Sequence, residues 1–72
     1  MNTEAAKNLL AAIAAKGIEL AISLGKLDPA TASEEQINAA GTAAVLAAME
    51  MEPAVKEAML HLTAERFHAA HN

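Results

Sequence analysis

An all-α fold, a small three-helix domain packed as a homo-oligomeric bundle, follows from three observations on the sequence. Apolar residues recur at helical steps of three and four over three stretches. No stretch alternates at the two-residue period of a strand. Gly25 and Pro53 stand where those stretches end. The expected helices cover about residues 4–24, 32–51 and 53–70 of one domain spanning 1–72, a helical hairpin followed by a C-terminal helix after the proline break. Oligomerisation is expected because 72 residues lie near the lower limit for a self-sufficient core. Hydrophobic residues make up 54 % of the chain, but twenty of them are alanines, which bury little surface. No cysteine is present, so neither a disulfide nor a thiolate metal site can staple the fold.

The first helix carries the longest apolar seam. Leu10, Ile13, Gly17, Leu20 and Leu24 fall on one side, extended back to Ala6 and widened by Leu9, Ala14, Ile18 and Ala21. Thr3 is expected to cap its start, with Glu4 near the positive end of the helix dipole. Gly25 suits the left-handed position after its last residue, with Leu27 folding back over that end. Gly17 costs about 1 kcal/mol relative to alanine in mid-helix, so its presence points to another backbone close by. A leucine there should disrupt assembly, whereas an alanine is expected to be tolerated.

Asp28-Pro29 starts a turn. Two overlapping capping boxes follow, Thr31 with Glu34 and Ser33 with Gln36, and either can open the second helix. That helix carries Ile37, Gly41, Ala44, Ala48 and Met51 at steps of four and three, beside a row of Ala40, Ala44 and Ala48. Small residues at this spacing let helix axes approach closely. Gly17 and Gly41, or Gly17 and the Ala40–Ala44 step, are therefore the expected crossing point. Pro53 pushes Glu52 out of helical geometry and ends the helix. The third helix has an apolar arc of Val55, Ala58, Met59, Leu62, Ala69 and Ala70, with Leu60 and Phe67 at one margin.

Composition excludes several functions. The formal net charge is −4, and the five basic residues, Lys7, Lys16, Lys26, Lys56 and Arg66, form no patch that could neutralise phosphates. A helix-turn-helix around Pro53 is architecturally possible, but its reading helix would set Lys56 and Arg66 against Glu57 and Glu65. Nucleic acid and anionic membrane are accordingly not expected partners. Lys16 and Glu19 interrupt the longest apolar region, which is too short to span a bilayer. Glu4 is misplaced for a secretory leader, so a cytoplasmic location is expected. There is no Gly-rich phosphate loop, no tyrosine or cysteine, and no long loop to build a pocket. Neither catalysis nor a cofactor is expected.

Glu57, His61, Glu65 and His68 on the third helix are spaced four, four and three residues apart and so share one face. Glu65 and His68 also have the Glu-x-x-His spacing of carboxylate di-iron bundles. This face is the alternative reading, a metal-binding helical protein. The competing reading is a solvated surface opposite the apolar arc, since the first two helices supply no matching ligands. His61, His68 and His71 raise a second possibility, pH sensitivity at the helix end, against the ordinary preference of helix ends for histidine.

The function best matched to these features is a small protein–protein interaction module, a homodimeric regulator, adaptor or inhibitor that binds another protein. Its expected interface residues are Leu10, Ile13, Gly17, Leu20 and Leu24 on the first helix and Gly41, Ala44, Met49 and Met51 on the second. The third helix adds Met59, Leu62 and Arg66. The three methionines bracket Pro53 as adaptable filler or as a docking surface. Arg66 is placed to meet Glu50, Glu52 or an acidic residue of a partner if the third helix forms the interface.

Overall fold

The computed structural model describes residues 2–70, Ala70 by its backbone alone; His71 lies outside the described residues. Among them are three helices and no strand: α1 (Thr3–Ser23), α2 (Glu34–Met51) and α3 (Pro53–Ala70).

Each boundary has a local cause. The cap of α1 is Asn2 rather than Thr3. Its extended backbone lets the Asn2 side chain accept a 2.7 Å hydrogen bond from the Ala5 amide. Thr3 is thereby the first helical residue, and its hydroxyl is released for a longer-range contact. At the other end Gly25 adopts φ 73°, and two bonds close a Schellman turn: Lys26 N–H to the Ala21 carbonyl at 2.9 Å and Gly25 N–H to that of Ile22 at 3.1 Å. The loop then turns on Asp28, whose carboxylate accepts from Ala30 N–H and whose carbonyl accepts from Thr31 and Ala32.

Of the two capping boxes, Ser33 with Gln36 is the one formed. Ser33 Oγ accepts from the Gln36 amide at 3.2 Å and Gln36 Oε1 accepts from the Ser33 amide at 2.9 Å, so α2 starts at Glu34. Glu52 leaves helical geometry at φ −122° and ψ 106°, as the following proline demands. Its carbonyl at once accepts from Val55 and Lys56, opening α3 with Pro53 in the first helical position.

α1 and α2 form an antiparallel hairpin whose axes cross where both helices carry glycine. A Cβ on Gly17 would fall on the Ala44 methyl, closer than real Cβ atoms approach, and within 3.4 Å of the Ala40 carbonyl oxygen. A Cβ on Gly41 would sit 3.2 Å from that of Ala14 and 3.5 Å from Ile18 Cδ1. Both glycines therefore mark a close approach of backbones. The expectation that alanine would be tolerated at Gly17 is corrected by this contact: there is no room for the methyl.

α3 lies across the N-terminal half of α1. Thr3 meets His61 and Glu65, while Met59 lines a groove with Leu10, Ile18 and Val45. The buried hydrophobic core consists of Ala6, Val45, Val55 and Ala58, with Gly41 buried beside Val45. No large side chain is fully buried among the described residues. The second half of the α1 seam is not core: Leu20 is 59 % and Leu24 61 % exposed. The physical reason is length and placement. α3 crosses the base of the hairpin and contributes nothing to the face on which Leu20 and Leu24 stand. The radius of gyration is 13.7 Å, against about 11 Å for a compact chain of this length.

Gly17→Ala is expected to lower stability by about 1–3 kcal/mol through overpacking, outweighing its gain in helix propensity of about 1 kcal/mol. Thermal unfolding followed by circular dichroism measures this, and adding Ala44→Gly should recover most of the loss.

Candidate interaction surface

Three features of the surface bear on function: an open groove along the hairpin, a polar cluster where α3 meets α1, and the region around Pro53.

The groove occupies one side of the upper hairpin and encloses about 550 Å³. One wall is a ridge of Leu20 and Leu24, continued by Leu27 after the Schellman turn. The other is a furrow of Ala39, Ala40 and Ala43 on α2, and Gly17 forms part of the floor. Spacing explains both walls. Leu20 and Leu24 are four residues apart and so stack on adjacent turns, as do Ala39 and Ala43. Among the described residues Lys26 is the only charged one that lines the groove, and none of the nine acidic side chains does. Apolar exposure continues elsewhere: Leu46, Met51, Leu60 and Phe67 are each more than half exposed.

Summed over the chain, the accessible surface is 5343 Å². A folded monomer of 7.4 kDa is expected to expose roughly 4,200 Å². The excess, about 1,100 Å², resides in a structure whose largest aliphatic side chains lie outside the core.

The polar cluster joins the start of α1 to the middle of α3. The Thr3 hydroxyl donates to the Glu65 carboxylate and lies 3.2 Å from His61 Nε2, which is itself 3.4 Å from Glu65 Oε2. His61 and Glu65 are one turn apart, so both reach the same hydroxyl. His61 accordingly sits at a helix–helix contact, partly buried, and not on a face opposite the core. Of the four residues considered for a metal, only His61 and Glu65 are brought together. Among the described residues no three of His, Asp or Glu converge as a metal site would need. The cluster is a tether between α1 and α3, legible only once the two helices are packed.

The methionines divide. Met49 and Met51 line a depression with Leu46, Pro53 and Lys56 at the α2–α3 junction, whereas Met59 lines a second, separate groove with Leu10 and Val45. Arg66 is exposed beside Thr3, Lys7, Leu62 and Glu65, and within the chain no ion pair joins it to Glu50 or Glu52 among the described residues. Of the other interface positions, Leu10, Ile13, Gly17, Ala44, Met49, Met59 and Leu62 are partly buried within the chain. Gly41 is fully engaged in the intrachain crossing and is unavailable to another molecule. Between α2 and α3 only Glu52 is non-helical, shorter than the three- or four-residue turn of a helix-turn-helix. No helix among the described residues is long and apolar enough to cross a membrane.

Saturating zinc is expected to leave the melting temperature unchanged, because His61 and Glu65 alone do not fill a zinc shell. A rise in melting temperature that is lost in the double variant H61A/H68A would instead support metal binding.

The chain matches no protein-family model, no curated protein and no solved structure, so its geometry alone carries the functional reading.

Proposed function

We propose that this chain is a small helical interaction module that acts in the cytoplasm as a homodimer and regulates a partner protein by occupying its surface. The observation that supports this reading is the inversion of apolar side chains. The core is made of alanine, valine and glycine, while most of the leucines of the upper hairpin and outer α3 stand more than half exposed. Isolated exposed leucines are ordinary, but contiguous apolar exposure on a small chain marks an interaction surface. A ridge and furrow without carboxylates can be covered by another apolar surface at little electrostatic cost so long as Lys26, exposed at its edge, keeps its ammonium in solvent.

Binding rather than catalysis is the role matched to this architecture. The grooves are open, and the groove with the largest aliphatic lining holds no pair of acid and base within it. A regulator of this kind works by mass action: it stabilises whichever state of the partner presents the complementary surface.

Sedimentation velocity at micromolar concentration tests the self-association on which this reading depends. The expected species is a dimer of about twice the chain mass; a stable monomer that does not associate over that range would overturn it.

A further inference from the structure

We infer that the homodimer forms about a two-fold axis through the upper hairpin, with the Leu20–Leu24 ridge of one copy seated in the Ala39–Ala43 furrow of the other. This rests on the self-association proposed above and adds where the two copies meet. The occupant of the groove is a second copy of this chain, for three physical reasons.

The first is self-complementarity. A two-fold interface uses the same patch on both copies, so that patch must carry both the knob and the hole that receives it. Here the ridge and the furrow lie side by side on one face, walls of a single groove. Turning a second hairpin over this face sets each ridge above the opposite furrow. Ala39 and Ala43 are exposed and Ala40 is partly so, which leaves their methyls open to receive a leucine.

The second is area. A standard interface removes about 800 Å² from each partner. The chain as a whole exposes about 1,100 Å² more than a compact monomer of its mass, so it can lose the area of one such interface and still expose as much as a compact monomer does. α1, 21 residues long, spans roughly 31 Å, which gives the hairpin a face of useful length.

The third is charge. Each chain has a formal charge of −4, so two copies repel wherever carboxylates meet. No carboxylate lines the groove itself, Glu19 standing on the outer flank of Leu20, and Lys26 is the one charge among its described lining residues. By contrast, the outer side of α3 sets Leu60 near Glu57 and the depression at Pro53 includes Glu50. Self-association is therefore less opposed at this groove than at either of those two surfaces.

Sedimentation equilibrium on the full chain and on single variants tests the placement. Leu24→Glu puts a charge on the ridge and Ala43→Leu fills the furrow, each at a position already exposed within the chain. Both are expected to weaken self-association at least ~10-fold, the loss of about 1.4 kcal/mol of binding energy. Leu60→Glu, on the outer side of α3, should leave the dimer intact. If the unmodified chain is a monomer, both the site and the functional reading fail. If it is a dimer that persists in L24E and A43L, the site is wrong while the reading stands. Should either variant lose helical content, the natural absence of cysteine allows a second measurement. Chains carrying L24C are mixed with chains carrying A43C and treated with a short bismaleimide. A mixed cross-linked dimer is expected, and its absence while the chains co-sediment as dimers would overturn the placement.

Discussion

The close crossing of α1 and α2 is the constraint on which the rest of this structure depends. Gly17 and Gly41 remove side chains where the two backbones approach, and Ala14, Ala40 and Ala44 supply the shallow surfaces that meet there. Such packing gains dispersion contact between backbones but buries little apolar area per residue. A hairpin held this way can form from small residues, yet it leaves its leucines without an internal place. α3 then covers the base of the hairpin, where Ala6, Val55 and Ala58 are buried, and the upper hairpin retains its apolar face.

The loops and caps keep that geometry in register. The Schellman turn at Gly25 stops α1 within a residue of Leu24, the turn on Asp28 redirects the chain, and the Ser33–Gln36 box fixes the first residue of α2. Since one residue along a helix rotates a side chain by about 100°, the start of α2 decides which alanines face α1 and which line the groove. At the other end, Thr3 bonds across to His61 and Glu65, so the same N-terminal turn that Asn2 caps also anchors α3. Local chemistry and tertiary packing thus meet in the first turn of α1.

Part of what suggests chemistry in the sequence has a structural role. His61 and Glu65 are a helix–helix tether, and the methionines near Pro53 face two different depressions. The surface proposed for self-association is the apolar face of the upper hairpin. A chain with few large apolar residues places several of them outside its own core, which costs solubility unless another surface covers them.

The sequence by itself determined the three helices, their stops at Gly25 and Pro53, and the identity of the crossing residues. All of these are local: hydrophobic period, φ above zero at glycine, the missing N–H of proline, and the absence of a Cβ at Gly17 are written in single positions or short spacings. Where two local solutions had similar energy, as with the capping boxes at Thr31 and Ser33, only the folded chain selected one. Tertiary structure alone decided that Leu20 and Leu24, in the same seam as Leu10 and Ile13, lie beyond the cover of α3. It also decided that His61 meets Thr3 from the far end of the chain, and that a methyl on Gly17 has no room beside Ala44. A helical seam states which side is apolar, but burial depends on how far the opposing helix extends along it. That reach is set by the crossing angle and by where α3 departs from Pro53, quantities carried by no single spacing.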